Sequence, residues 1–182
     1  MLNFLKIDSV YDTNYADVYK LYVEAFPVSE RRSWASLERV LNNETRFNIF
    51  ALMHENQFVG FISYWKFERF YYIEHFAILP HFRNRKLGSE AMAGLLSQVN
   101  MPVVLEVEMP RTVEAGRRIH FYERLGFYVL SNRYMQPPYD GVSFLLPMLI
   151  MSNDYHFANK HFNLIKDTLY KEVYRYEKED EE

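Results

Sequence analysis

Apolar residues recur at spacings of three and four along several stretches of the chain, and this period predicts amphipathic helices. Helices are expected over residues 13–26, from Ser29 to Leu41, over 87–100, 113–125 and 156–176. In the first helix the inward side chains are Tyr15, Val18, Leu21, Tyr22 and Ala25, and Pro27 ends it. Ser29 is expected to cap the second helix, whose inward side chains are Trp34, Leu37, Val40 and Leu41. The third is expected to bury Leu87, Ala91, Leu95, Leu96 and Val99.

Shorter apolar runs predict strands over residues 2–7, 47–53, 58–67, 70–79, 103–109, 127–131 and 142–150. The links between the second, third and fourth runs are short, which indicates an antiparallel meander. The fifth strand is reached through a helix and is therefore expected to run parallel to the fourth. Gly126 is expected to end the helix over 113–125 in a left-handed conformation.

The composition fits one domain, because 182 residues with 49% hydrophobic content can bury a substantial core. We expect its body over residues 1–150, and a helical extension with an acidic tail over residues 151–182 in the same domain. A net charge of −3 gives no field that attracts nucleic acid. The chain has no cysteine, no secretion-signal layout at its start and no apolar run long enough to cross a bilayer. We therefore expect a cytoplasmic protein without nucleic-acid or membrane partners.

A basic turn joins a strand pattern to a helix pattern between Ile78 and Glu90, and it carries Arg83, Arg85 and Lys86. The first N–H groups of a helix lack internal partners, and the helix dipole adds positive charge there. Three basic residues at that place oppose the dipole unless an anion binds, so an ordinary solvated loop explains them poorly. The spacing of a P-loop is missing. The turn therefore predicts a cradle for a pyrophosphate.

Two motifs stand in order with a strand between them. Arg83-Asn84-Arg85-Lys86-Leu87-Gly88 follows a strand and Pro80, and Tyr122-Glu123-Arg124-Leu125-Gly126-Phe127 closes the next helix. On these motifs, the chain resembles the GNAT acetyltransferase superfamily over roughly residues 2–150. The resemblance implies an α/β fold with a mixed, largely antiparallel sheet whose central parallel strands splay apart, flanked by helices. It also implies acetyl transfer from acetyl-CoA to an amine in a ternary complex, without a metal.

The resemblance also implies where acetyl-CoA binds. The pyrophosphate is expected on the backbone of Arg83, Asn84, Arg85, Lys86, Leu87, Gly88 and Ser89, and the pantetheine arm along the strand at Phe76, Ala77 and Ile78. Lys86 stands where the family usually has its first glycine, and we expect a helical Lys86 that still presents its N–H. Ala115 replaces an asparagine that contacts the cofactor in many members, so that contact is expected to be missing.

Tyr122 is the candidate general acid. At this motif position the resemblance implies a tyrosine near the cofactor sulfur, and a phenol with a pKa near 10 is protonated at neutral pH. Helix periodicity alone would make Tyr122 a core aromatic beside Ile119 and Leu125.

Glu74 is the candidate general base, acting directly or through water, because the family often places a carboxylate in the strand before the basic turn. Strand alternation puts Glu74 on one face with Tyr72 and Phe76, and His75 on the other with Ile73 and Ala77. Glu30, Glu106 and Glu108 are candidates to bind the positive charge of a substrate. Each carboxylate could instead be a surface group or a salt-bridge partner.

Aromatic and charged residues in the regions that form the substrate walls of the superfamily suggest a small polar amine. Two other functions stay open from the residues alone: a CoA-binding sensor without turnover, and a protein-interaction module. The aromatic C-terminal helix leaves a homodimer open as well.

Overall fold

The computed structural model of the protein describes residues 2–140 and 143–176. The chain divides into two compact units, Met1–Leu105 and Glu106–Glu182. The expected start of the last strand at Val142 and the acidic tail from Glu177 to Glu182 lie outside the described residues. The expected boundary between a body and an extension at residue 150 falls inside the second unit and stays a prediction.

The first unit is built on a sheet with the strand order β1-β2-β3-β4-β5. The strands are β1 (Leu2–Ile7), β2 (Phe47–His54), β3 (Gln57–Lys66), β4 (Tyr71–Ile78) and β5 (Val103–Glu108), of which β5 continues into the second unit. Strands β1 to β4 pair antiparallel in sequence order, whereas β4 and β5 pair parallel. The predicted meander, its parallel neighbour and the mixed, largely antiparallel sheet are confirmed.

The parallel pairing between β4 and β5 is short. It links Tyr71, Tyr72 and Ile73 to Val103, Val104 and Leu105, although β4 continues to Ile78. Within the described part of the first unit, the rest of β4 therefore pairs with β3 alone. One backbone edge of β4 from residue 74 to 78 lacks a strand neighbour there, as the predicted splay requires.

Three helices belong to the first unit: α1 (Tyr15–Ala25), α2 (Trp34–Asn43) and α3 (Leu87–Gln98). Helix α1 packs against β3 and β4, and α3 packs against β1 and β4. Two expectations for α2 are wrong. Its cap is Ser33, whose hydroxyl accepts from the Ser36 N–H, because the residues around Ser29 form a short 3₁₀ turn instead. Trp34 is 41% exposed and packs on α1 through the rings of Tyr15 and Tyr19.

Strand β4 contains a β-bulge at Glu74. Ser63 pairs with His75 while Tyr64 pairs with Ile73, so Glu74 is an extra residue without a partner in the register. A bulge shifts the alternation of side chains by one position. The predicted faces are therefore wrong: Tyr72, His75 and Ala77 pair with Trp65, Ser63 and Phe61 on one face, and Ile73 and Phe76 lie on the other.

The described part of the second unit contains the end of β5, α-helices and further strands. The helices are α4 (Val113–Glu123), α5 (Tyr155–Lys160) and α6 (Phe162–Thr168), and the strands are β6 (Tyr128–Val129), β7 (Tyr134–Gln136) and β8 (Leu146–Ser152). Both β6 and β7 pair antiparallel with β8, so the predicted closing pair is confirmed and β7 is an addition.

The ends of the helices in the second unit test two expectations. Gly126 has φ 84°, the predicted left-handed conformation after α4. The helix expected over residues 156–176 is interrupted at His161 and ends in a π-helical turn, Leu169–Val173. Among the described residues, no helix is both long and apolar enough to span a bilayer.

Candidate functional site

The turn after β4 has an unusual backbone. A short 3₁₀ turn over Pro80–Phe82 is followed by left-handed conformations at Asn84 (φ 62°) and Lys86 (φ 63°). Lys86 is the N-cap of α3, so the expectation that it is helical is wrong. The lysine instead adopts the backbone conformation that glycine takes most readily, at the position where the family usually has glycine.

The start of α3 presents free donors to this turn. The first intrahelical bond runs from the Glu90 N–H to the Lys86 carbonyl, so the N–H groups of Leu87, Gly88 and Ser89 precede it. The side chain of the N-cap residue, Lys86, makes no capping hydrogen bond to these groups. Left-handed residues beside a helix start arrange N–H groups into a concave anion site, and here the flanking side chains are basic.

Two of the basic side chains are held in place. Arg83 Nε donates to the Ile78 carbonyl at 3.0 Å, and the Arg85 guanidinium lies 5.3 Å from the centre of the Phe82 ring. Arg83, Arg85 and Lys86 are all exposed, so their charges are available to an anion. The turn thus combines oriented backbone donors with fixed positive charge.

The strand that leads into the turn lies unusually close to its neighbour. Gly60 on β3 pairs with Ile78, and a Cβ atom at residue 60 would collide with the carbonyl oxygen of Ala77 and with Ile78. Glycine at this position therefore sets how closely β3 can approach the Phe76 to Ile78 segment of β4. Those are the residues whose open backbone edge is expected to bind pantetheine.

The Glu74 carboxylate is buried and hydrogen-bonded. Its side chain has no exposed surface, and Oε1 accepts from Arg32 at 3.1 Å (Nε) and 2.8 Å (Nη2). Oε2 accepts from the Trp65 indole N–H at 2.7 Å. The salt-bridge alternative left open for Glu74 is therefore present in the structure. Its role as a general base stays a prediction.

The neighbouring His75 has a structural environment. Its Nε2 lies 2.8 Å from the Glu30 carbonyl oxygen, and its ring contacts those of Tyr22 and Phe26. Burial lowers the pKa of His75, while the nearby Glu74 charge and the bond to Glu30 act in the opposite direction. The imidazole is thus neutral at physiological pH, and its Nε2–H donates to the Glu30 carbonyl oxygen.

In the second unit, Tyr122 is buried on α4 and contacts the rings of Phe121 and Phe127. Burial raises the pKa of Tyr122 to about 12; the Glu108 charge adds to the shift and the Arg118 charge opposes it. The phenol is therefore protonated throughout the physiological pH range, as a general acid requires.

The other two candidate carboxylates lie at the end of β5 in the same unit. Glu106 accepts hydrogen bonds from the hydroxyls of Tyr134 and, at 2.6 Å, Tyr174, and Glu108 forms an ion pair with Arg118. Burial, together with the Glu106 charge, raises the pKa of Tyr134 well above its usual value. The Glu106 carboxylate thus lies between two tyrosines, and the charge of Glu108 is balanced by Arg118.

The first unit therefore brings together Glu30, Glu74, the Phe76 to Ile78 segment and the basic turn, and the second unit holds Tyr122, Glu106 and Glu108. Sequence reasoning missed Trp65, Tyr134 and Tyr174 as partners of these acids, and did not pair Arg32 with Glu74. One general signal was present: a glutamate inside an apolar strand needs a counter-charge. Among the described residues, no group of three or more His, Cys, Asp or Glu side chains could hold a metal ion.

Comparisons with known proteins agree with the two motifs. The model of the acetyltransferase (GNAT) family matches residues 15–127. A solved chain from Bacteroides thetaiotaomicron, described as an acetyltransferase of the GNAT family, is 35% identical with a TM-score of 0.90, and the match covers 96% of this chain and 99% of that chain. A comparison with curated proteins finds no match.

More distant solved structures share the fold. A GNAT family acetyltransferase from Elizabethkingia anophelis with acetyl-CoA bound has a TM-score of 0.57 at 11% identity, over 83% of this chain and 96% of that chain. Arabidopsis thaliana Naa50 in complex with the bisubstrate analogue CoA-Ac-MVNAL has a TM-score of 0.60 at 18% identity, over 85% of this chain and 99% of that chain.

Proposed function

The chain belongs to the GNAT acetyltransferase family, and on that premise we propose that it transfers the acetyl group of acetyl-CoA directly to a small polar amine in a ternary complex. The backbone conformation of the basic turn is the main observation that supports binding of acetyl-CoA. Left-handed Asn84 and Lys86, followed by the uncapped start of α3, form a donor-lined site for a pyrophosphate.

The open edge of β4 supports the remaining cofactor contacts. The Ala77 carbonyl faces Gly60 on β3, so strand alternation directs the backbone groups of Phe76 and Ile78 to the other side, where an extended amide-containing chain can pair with them as an added strand. Acetyl-CoA, when bound, supplies an activated thioester. A backbone N–H near Phe76 or Ala77 would donate to the carbonyl oxygen as negative charge develops on it.

Tyr122 would donate the proton that the leaving sulfur needs. This role rests on its position in the second motif and on its pKa of about 12, which keeps the phenol protonated. Its burial between aromatic rings also suits a structural side chain, so removal of the hydroxyl alone is the informative test.

The amine must lose a proton before it attacks the thioester. Glu74 is the predicted base, but both of its oxygens already accept hydrogen bonds from Arg32 and Trp65. A proton that reaches Glu74 would neutralise the buried carboxylate that balances the charge of the Arg32 guanidinium. The ion pair therefore favours a positioning role for Glu74 and leaves proton removal to water or to the acceptor's own ionisation.

Glu30, Glu106 and Glu108 are proposed to attract the cationic acceptor. Of these, Glu106 is partly exposed among tyrosines, an environment that suits an ammonium group, whereas Glu108 is already paired with Arg118. We propose a small polar amine, not a protein, as the acceptor. A cytoplasmic location and a homodimer stay predictions.

A screen with acetyl-CoA tests the proposal directly. Small amines and short peptides with free N-termini would be offered in parallel, and released CoA thiol would be measured. We expect turnover with at least one small amine. Turnover with peptides alone would overturn the small-amine assignment, and cofactor binding without turnover of any acceptor would support the CoA-binding sensor instead.

A further inference from the structure

The segment of residues 28–33 is fastened to the bulge of β4 by hydrogen bonds from both sides. The Glu30 carbonyl binds His75 Nε2 at 2.8 Å, and the Arg32 guanidinium binds the Glu74 carboxylate. The Arg32 backbone N–H also donates to the Tyr22 hydroxyl on α1 at 2.6 Å. We call this set of contacts the bulge clamp.

The central pair of the bulge clamp is almost completely removed from water. The exposed fraction of the side chain is 7% for Arg32 and 0% for Glu74, and the guanidinium lies 5.8 Å from the centre of the Trp65 ring. Ionic groups lose hydration when they are buried, so a buried pair can add little net stability, whereas removal of one partner is costly. Two guanidinium nitrogens of Arg32 donate to one carboxylate oxygen and the Trp65 indole donates to the other, so the contacts fix the direction of the carboxylate as well as its charge.

The bulge explains why Glu74 and His75 both contact the segment of residues 28–33. Glu74 is the extra residue of β4, and its carboxylate bonds to Trp65, whose register partner is Tyr72. If Glu74 instead took a regular place in the register, His75 would lie on the opposite face and lose its contact with Glu30. Two consecutive side chains, Glu74 and His75, thus hold consecutive parts of the same segment.

The bulge clamp connects a segment that is expected to bind the acceptor with a strand that is expected to bind the cofactor. The clamped segment carries Glu30, a candidate for the acceptor's positive charge, and ends at Ser33, which caps α2. The clamped strand continues through Phe76 to Ile78, the candidate pantetheine edge. A shift of the segment would therefore move an acceptor group relative to the strand that holds the thioester.

We infer that Glu74 is a positioning residue, which together with Arg32 fixes the Val28–Ser33 segment on β4 so that the acceptor amine is bound in register with the thioester. This inference rests on the proposed acetyl transfer and deepens it, because it assigns the buried carboxylate to acceptor binding through Arg32 instead of to proton removal.

Steady-state kinetics of the full chain, with the best amine from the screen, test the functional part. We expect Glu74→Gln and Arg32→Met each to raise the KM for the amine about tenfold or more, and to change the dissociation constant of acetyl-CoA less than about threefold. The acidic limb of the pH profile of kcat should stay in place. Arg32→Lys, which keeps the charge, should recover part of the KM.

The double variant Arg32→Met/Glu74→Leu guards against a folding failure, because it leaves no unpaired buried charge. We expect its amine KM to be no worse than that of the poorer single variant, since the two residues act as a unit. Arg46→Met, which breaks the partly exposed Arg46–Glu44 pair, is the matched control and should leave both constants unchanged.

Hydrogen exchange supplies a readout that does not need turnover. The backbone N–H of Arg32 should exchange at least about tenfold faster in Glu74→Gln than in the wild-type protein. A loss of kcat by about 100-fold or more in Glu74→Gln but not in Arg32→Met, with the acidic limb removed, would make Glu74 the base and overturn the inference. Unchanged amine KM in all clamp variants would overturn it too. If the wild-type protein turns over no amine, the proposed function fails and the positioning role fails with it, whatever the exchange rates show.

Discussion

The side chain of Arg83 is bonded back to the strand that precedes it: Nε donates to the main-chain carbonyl of Ile78 at 3.0 Å. One arginine therefore ties the end of β4 to the basic turn. Its remaining guanidinium nitrogens extend from an exposed residue, so the same side chain can order the turn and bind a phosphate.

Arg83→Met should weaken acetyl-CoA binding about tenfold or more, because a hydrogen bond to a charged group contributes about 1.5–3 kcal/mol. Arg83→Lys should lose less, since it keeps the charge but not the planar donor. Titration calorimetry at low and high salt measures both. Arg69→Met, at the opposite end of β4, is the control; an equal loss in that variant would mean that only net charge matters.

Lys86→Gly should stabilise the protein by up to about 1 kcal/mol. A left-handed lysine costs about 1–2 kcal/mol, and the greater freedom of glycine in the unfolded chain offsets part of the gain. Lys86→Ala removes the same charge but keeps the backbone strain, so comparing the two variants separates the effect of strain from the effect of charge. Denaturant unfolding gives the two free energies, and equal values for both variants would contradict the strain argument.

Gly60→Ala should destabilise the protein by about 1–3 kcal/mol and weaken acetyl-CoA binding, because the new methyl group collides with the Ala77 carbonyl and Ile78. The matched control is Gly116→Ala in α4, where a Cβ meets nothing within 4 Å. That change should stabilise the protein by about 0.5–1 kcal/mol through helix propensity. Thermal unfolding with and without acetyl-CoA measures both effects, and a neutral Gly60→Ala would show that β4 can move away freely.

Tyr122→Phe should lower kcat about 100-fold with little change in the two KM values, because the phenyl ring keeps the contacts with Phe121 and Phe127. Since the pKa of Tyr122 is about 12, its ionisation should cause no fall in the wild-type kcat below about pH 10. A pH series of initial rates tests both statements. An unchanged kcat in Tyr122→Phe would remove Tyr122 from the chemistry and leave it as a core aromatic.

Acid should destabilise the protein partly through His75, whose pKa is lowered by burial. Below its unfolded pKa of about 6.5, the unfolded chain takes up a proton that the folded protein does not, so the free energy of unfolding falls as the pH drops toward the lowered folded value. The contribution cannot exceed about 1.4 kcal/mol per pH unit. In His75→Gln, which can still donate to the Glu30 carbonyl, the unfolding midpoint should fall less between pH 7 and 5. An identical slope in both proteins would contradict this.

The order of elements could be read from the sequence because it depends on local patterns. The apolar periods predicted the meander of β2, β3 and β4 and the crossover through α3, and a glycine at the end of a helix pattern predicted the left-handed Gly126. The motif around Arg83 to Gly88 located the anion turn for the same reason, since a strand, a proline and a helix start lie next to each other in the chain.

What sequence could not supply depends on residues far apart in the chain. Glu74 and Arg32 are separated by 42 positions, and no spacing rule indicates that they pair. The bulge at Glu74 has no glycine to mark it, and it reversed the expected faces of every later residue in β4. Lys86 was expected to be helical, and the sequence does not mark its left-handed conformation, which lysine rarely adopts.

The bulge at Glu74 also limits how this chain can change in length. Deletion of Glu74 itself would restore simple alternation with every register pair kept, but it would remove the carboxylate that binds Arg32 and Trp65. A one-residue deletion at any other position of β4 would turn residues over to the wrong face of the sheet. A one-residue insertion would do the same. Loop lengths elsewhere can drift among descendants of this sequence, but the number of residues between Trp65 and the basic turn is expected to be inherited unchanged.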